Sequence, residues 1–264
     1  MGEGIVDIAF QPFAGDELHA MLRRLRDDHG DVAPATFHGM PATVLLGWDT
    51  LREFFGSNDR FPGGEVYKHQ LERTVGRTFI SMDGPDHDIY RRLVTPAFRS
   101  RSAIRFVDEQ LTPLADELLD GLVDRGGCDL VAEFIDRLPF WAISRKLGLP
   151  EGFEDRQRGW ALAILSEPSD PEGARRAADE LSEVIAPVVA ERRRAPGADV
   201  ISQLVTGEFQ GTRLTDEEVH SHVRLLFAVG ATTTSDAMSN LFHTLLHRPA
   251  LLERVTSDPS TRPA

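Results

Sequence analysis

Apolar positions recur at helical spacing along most of the chain, and one stretch near the N-terminus switches to short strand-like runs. Over residues 16–29, Leu18, Leu22 and Leu25 form one stripe with arginines elsewhere, which predicts an amphipathic helix that Gly30 can end. Residues 32–46 hold the runs ATF and ATVLL on either side of His38-Gly39-Met40-Pro41, the pattern of a small β-hairpin. Trp48-Asp49-Thr50 opens a short helix through Phe55 that Gly56 closes, and Phe61-Pro62-Gly63-Gly64 breaks the chain again. Residues 65–80 show no clear period and are expected to be mainly loop. Residues 103–122 read as a helix that tolerates Pro113 only at a kink or the start of a turn. Phe134, Ile135, Leu138, Trp141, Ile143 and Leu147 mark another, ending at Gly148-Leu149-Pro150. Two more cover 153–165 and 171–194, before a short helix over 199–205 and a turn at 207–211. There is no internal repeat and no low-complexity tract, so the fold class expected is mainly α.

The longest periodic stretch is 214–248. Thr215 can cap its start while Glu218 reaches back, a capping box, and Leu214 and Val219 are placed to form a hydrophobic staple. No proline follows until Pro249, so one helix over 216–248 is possible, roughly 50 Å long at 1.5 Å per residue. Val219, Val223, Leu226, Gly230, Thr233, Ala237 and Leu241 follow one row of it. At mid-row, Val229-Gly230-Ala231-Thr232-Thr233-Thr234 replaces ordinary core residues with a glycine and β-branched threonines, all poor helix formers. A threonine hydroxyl here can bond the carbonyl four residues back and loosen the turn. Two readings stand: a close helix–helix crossing, or a dented helix that leaves room for a flat ligand and presents a hydroxyl to it.

A second stretch carries chemistry, SMDGPDHDIYRRLVTPAF at 81–98. Pro85 suits a first helical turn, and Asp83 and Asp86 suit its positive end. His87 and Arg91 are four apart, so one helical face carries both and could grip one anion. Alternatively the face is simply solvated, with Arg91 paired to Asp88 or Asp86. Arg91, Arg92, Arg99, Arg101 and Arg105 make this the most basic segment of the chain.

Composition narrows the function classes. With 29 basic and 42 acidic residues the net charge is −13, which argues against a nucleic-acid partner. A hydrophobic share of 41% supplies a substantial core. The single cysteine, Cys128, excludes an internal disulfide and points to a reducing cytoplasm. Neither a signal peptide nor a membrane-spanning run is read. His38, His69, His220, His222, His243 and His247 form no recognised metal spacing, and His243 and His247 lack the acid of an HExxH pattern. No nucleophile elbow, Walker loop or dinucleotide fingerprint occurs.

The two stretches, in this order and at this interval, resemble the C helix and the central I helix of cytochrome P450 monooxygenases. The resemblance implies a mainly α P450-like fold with a small N-terminal hairpin, residues 1–264 forming one incomplete domain truncated after the I helix and a short following helix. It implies haem as cofactor, with His87 and Arg91 on its propionates, Gly230 beside it and Thr233 as the catalytic oxygen-side threonine. Two departures matter: Val229 replaces a usual alanine or glycine, and Thr232 stands where an acid is common. An apolar small-molecule substrate, a ferredoxin-type electron donor meeting the arginine-rich face, and a cytoplasmic setting follow by the same resemblance. So does a lid over the substrate formed by the helices at 153–165 and 171–194. The Glu-x-x-Arg helix and the cysteine loop that provides the axial thiolate are not in this sequence, and Cys128 precedes the long helix, so no metal ligand is assigned and the chain alone is expected to be inactive. The alternative is a non-enzymatic helical small-molecule-binding or interaction remnant of that fold.

Overall fold

A computed structural model of the chain describes residues 6–8, 15–37, 39–258 and 260, apart from the side chains of Ser100 and Arg101. His38, expected in the hairpin turn, lies outside the described residues. The chain divides into two compact units, Met1–Gly63 and Gly64–Ala264.

In the first unit, helix α1 (Gly15–His29) buries Met21 and Leu25 against Ala33, with Leu18 and Leu22 packed around them. Gly30 follows at φ 78°, the left-handed conformation that ends a helix at least cost to glycine. Strands β1 (Val32–Phe37) and β2 (Met40–Leu45) pair antiparallel, Val32 opposite Leu45 and Phe37 opposite Met40. Met40 and Pro41 therefore belong to the strand rather than to the turn, and Pro41 pairs opposite Thr36. Thr36 turns its own N–H away from β2, to Val6 O at 2.9 Å, so Pro41 opposite it faces the outer edge of β2, where a missing N–H is tolerated. Helix α2 (Trp48–Gly56) closes the unit.

The second unit is built around α12 (Asp216–Leu246). Before it come α3 (Gly64–Gln70), α4 (Glu72–Val75), α5 (Gly84–Val94), α6 (Ser100–Phe106), α7 (Thr112–Val123), α8 (Leu138–Leu147), α9 (Glu154–Leu165), α10 (Pro171–Arg194) and α11 (Val200–Thr206), and after it α13 (Pro249–Ser257). Both halves of the capping box form, Glu218 N donating to Thr215 Oγ1 at 3.2 Å and Thr215 N to Glu218 Oε2 at 2.9 Å. Leu214 and Val219 are both buried, as a staple requires. The helix stops at Leu246, two residues short of the expected Arg248, because the residue before Pro249 is pushed out of helical geometry (φ −130°, ψ 79°). Its first half packs on α8, α9 and α10 in a core that includes Phe227, Leu225, Leu181, Ile185 and Ile164. A separate cluster of Leu114, Leu118, Phe134, Ile135 and Leu138 meets its second half at Met238 and Phe242.

Residues 65–80 are not mainly loop: α3, α4 and a 3-10 turn at Phe79–Ser81 fill most of them. Helices of seven and four residues are too short to show a period, and burial of Thr74 and Val75 holds the second in place. The helix expected over 103–122 is interrupted by a π-turn at Val107–Leu111, which puts Pro113 in the first turn of α7, where its missing N–H costs no hydrogen bond.

Candidate functional site

Helix α12 runs unbroken through its glycine–threonine stretch, and of the two readings the close crossing is the one its geometry shows. Thr232, Thr233 and Thr234 each donate back to the carbonyl four residues earlier, Ala228, Val229 and Gly230, at 2.9, 2.7 and 2.8 Å. That engages each hydroxyl proton and leaves the oxygen lone pairs as what the side chain offers outward. Thr233 is exposed. Gly230 faces α8, where an added Cβ would stand 3.1 Å from Ile143 Cδ1, so the bare backbone here serves a close helix crossing. A cavity of about 290 Å³ opens beside it, its lining including Phe98, Phe106, Ile143, Gly230, Thr234 and Met238. Thr234 lines this cavity with Gly230, and Thr233 is not among the residues that line it. Along the row named from sequence, Val219 and Val223 are fully buried while Leu241 is 54% exposed.

Helix α5 places His87 and Arg91 as the sequence predicts, on one face with Pro85 in the first turn. Neither acidic partner offered to Arg91 takes it: Asp86 pairs with Arg77 at 3.2 Å, and Asp88 lies 3.3 Å from His87 Nδ1. Arg91 is exposed and has no side-chain partner among the described residues. A guanidinium carrying five donors and no acceptor is thus available to an anion beside a histidine.

What fixes α5 to the long helix is a network that sequence reasoning missed. His222, fully buried, has Nδ1 2.6 Å from Glu218 O and accepts from Phe79 N at Nε2 over 3.3 Å, which assigns the neutral Nδ1–H tautomer. Its ring stacks between Phe79 and Tyr90, at centroid separations of 5.9 and 6.2 Å, and Phe79 in turn lies 6.3 Å from the His87 ring. Tyr90 Oη donates to Glu218 Oε1 at 2.5 Å. Burial, then the Glu218 contact, raises the Tyr90 phenol above its usual range. Burial works to raise the Glu218 carboxyl, but hydrogen bonds from Tyr90 and Thr215 outweigh it and hold the group low. Burial pushes the His222 imidazole down, against an opposing pull from Glu218. One signal was available: His222 stands four residues after the capping Glu218.

Arg224 makes a second clamp. It is buried, and it donates to Val75 O at 2.9 Å, Ser182 Oγ at 2.7 Å, Glu217 Oε1 at 2.8 Å and Ser221 Oγ at 3.2 Å. One side chain thereby ties α12 to α4 and to α10. Gly76 follows α4 at φ 88°, and a Cβ there would lie 2.2 Å from Ser221 Oγ, so both its conformation and its close approach require glycine. The visible signal was an arginine flanked by Val223 and Leu225 in an otherwise apolar run.

No hydrogen bond or ring contact joins Thr233 to His87 or Arg91; Glu218 and Thr233 stand fifteen residues apart on one helix, about 22 Å along its axis. Cys128 is exposed, on the turn beyond α7. Among the described residues no group of three metal-ligating side chains converges, and no helix is long and apolar enough to cross a membrane.

A long central helix with a glycine–threonine stretch, tied through Tyr90 and His222 to a short helix that bears His87 and Arg91, defines a mainly helical protein with a cationic helix face beside its central helix. The chain belongs to the cytochrome P450 family. It is 33% identical over 268 residues to cyclomarin C epoxidase CymV of Salinispora arenicola, covering 95% of this chain and 65% of that protein. It is 33% identical over 193 residues to a cytochrome P450 of Bacillus subtilis, covering 71% of this chain and 46% of the relative. Among solved structures, the ligand-free structure of cytochrome P450 TbtJ1 matches with a TM-score of 0.79 and 30% identity, over 95% of this chain and 66% of that one. No family model matches the chain. The chain thus spans about half to two-thirds of the length of its relatives. Membership of the family implies haem as the cofactor.

Proposed function

We propose that this chain is the part of a P450 haem monooxygenase that grips the haem carboxylates and presents the hydroxyls of the long helix, in the oxidation of an apolar small molecule by dioxygen with electrons from a redox partner. The observation that carries the reading is Arg91, a guanidinium without a partner among the described residues, on one helical face with His87. Two donors at that spacing suit a pair of carboxylates, and charge-assisted bonds are the strong ones. Bound haem with a thiolate ligand supplies the activation of dioxygen. The chain's own part is to hold. Thr233 Oγ1, its proton engaged by Val229 O, can accept from a water and keep it in place, and Thr232 brings no carboxylate to exchange a proton with it. Gly230 keeps α12 close to α8 at the level of those threonines. The only cysteine stands on an exposed turn, so the 264 residues by themselves do not complete the reaction.

The proposed setting is cytoplasmic and the proposed electron donor an acidic ferredoxin-type protein, steered by exposed Arg99 and Arg105. Arg92 is spent in part over the Phe209 ring, 5.2 Å from its centroid, and the Arg101 side chain lies outside the described residues. Charge reversal at Arg99 should slow reduction at low ionic strength and converge with the parent at high salt; an unchanged rate at every ionic strength excludes this face.

A second reading, a non-enzymatic binder of apolar molecules, is favoured by the cavity beside Gly230, lined almost wholly by apolar side chains. Haemin titration of the purified chain separates the two. His87→Gln with Arg91→Gln should weaken haemin binding about 10- to 100-fold, the loss of one or two charge-assisted hydrogen bonds. Affinity unchanged by both substitutions refutes the grip and leaves the binder.

A further inference from the structure

His87 and Arg91 stand on a helix that aromatic rings pin to α12, and the pinning reaches one of the two donors directly. The Phe79 ring lies 6.3 Å from that of His87 and 5.9 Å from that of His222, so it bridges a half-buried imidazole on α5 and a fully buried one on α12. Tyr90, three residues beyond His87, stacks on His222 with the ring planes 15° apart and bonds Glu218 through its hydroxyl. The contacts thus close a circuit from Glu218 and His222 through Phe79 to His87, along α5 to Tyr90, and back to Glu218.

A purely apolar core at this point would not need a histidine, because a buried imidazole is costly unless its nitrogens are bonded. Here both are engaged, Nδ1 with Glu218 O and Nε2 with Phe79 N, and this fixes the orientation of the ring on which Phe79 and Tyr90 stack. Anchoring Tyr90 also limits rotation of α5 about its own axis. Successive helical residues point about 100° apart, so the direction of Arg91, the next residue, follows from that of Tyr90. Arg77 adds a further tie, its guanidinium 5.5 Å from the Tyr90 ring centroid and 3.2 Å from Asp86 in the first turn of α5. That pairing occupies Asp86, which would otherwise compete for Arg91. Asp88 takes His87 Nδ1 at 3.3 Å and leaves Nε2 without a partner among the described residues.

We propose that Phe79, Tyr90 and His222 are positioning residues for the carboxylate grip: they hold α5 at the rotation that aims His87 and Arg91 at one ligand. The inference rests on the haem-grip reading above and extends it to residues that act through the two donors. A donor pair held in place before binding leaves only its own side-chain torsions to be ordered by the ligand.

The test is a double-mutant cycle on the haemin affinity of the 264-residue chain, read by absorbance titration, with far-UV circular dichroism to show that each variant is folded. Tyr90→Phe keeps the ring and removes the bond to Glu218; Phe79→Leu keeps the backbone N–H and removes the ring beside His87. Each should weaken haemin binding about three- to tenfold in the parent chain, a coupling of the size expected between residues in contact. Neither should weaken it further once His87→Gln and Arg91→Gln are in place, because no grip is left to aim. Equal weakening in both backgrounds makes these residues part of the fold alone and overturns the positioning, while the grip stands. No weakening in the parent overturns it as well. Affinity that is the same with and without His87 and Arg91 overturns the grip itself, and the positioning with it.

Discussion

His222 concentrates the consequences of burial in one imidazole. The folded chain keeps it neutral, because Phe79 N needs its lone pair and burial disfavours its charge. An unfolded imidazole takes a proton near pH 6.5, roughly the ordinary histidine value. The unfolded state therefore binds more protons as pH falls, and the stability His222 contributes is complete above about 6.5 and lost progressively toward its depressed folded value. His220 acts in the same sense, since burial lowers it as well against the pull of Glu217. Urea unfolding from pH 8 to 5 should show stability falling, with a shallower slope in His222→Gln; identical slopes would contradict this assignment. Thr233 makes the opposite case. Exposed and bonded to its own helix, it carries little of the fold, so Thr233→Ala should change stability by no more than about 0.5 kcal/mol. A loss well above 1 kcal/mol would mean that its hydroxyl is structural. His87, Arg91, Gly230 and the threonines were all legible in the sequence, because spacing along one helix fixes which residues share a face. His222 and Arg224 were not, because their partners lie 143 and 149 residues away.

Periodicity at the level of elements worked where helices are long. Residues 171–194 and the start of α12 agree with the structure to the residue, since a proline at the first turn and a capping box mark them from within. It failed over 65–80, where α3 and α4 are held by tertiary contacts that leave no local pattern. Arg224 is one such contact. Arg224→Met should cost about 2–4 kcal/mol, because it leaves the Val75 carbonyl and the Ser182 hydroxyl without their donor; thermal or urea unfolding reads it, and a loss under 0.5 kcal/mol would exclude the clamp. At the α12–α8 crossing, alanine at Gly230 gains about 1 kcal/mol of helix propensity but presses on Ile143. Valine adds bulk the crossing cannot absorb, and Gly230→Val should cost about 1–3 kcal/mol. Combined with Ile143→Ala it should show a coupling of at least about 0.5 kcal/mol, the sign of direct contact; strict additivity would place the glycine elsewhere.

Across the whole molecule, the family was legible from two short motifs in the right order, whereas the cavity beside Gly230 was not, because its wall is assembled from residues of α6, α8 and α12 far apart in the chain. The chain spans 46% to 65% of the two curated relatives described above, and the chemistry proposed for it belongs to the whole protein. What is proposed for these residues is a haem grip at His87 and Arg91 without a thiolate from Cys128, which is exposed. The most direct test is the absorption spectrum of the purified chain loaded with haem, reduced and exposed to carbon monoxide. Haem bound without the red-shifted Soret band of a thiolate–haem–CO adduct, and bound about 10- to 100-fold more weakly on substituting His87 and Arg91, is the result predicted. A red-shifted band from this chain alone would contradict it, and would make Cys128 a ligand.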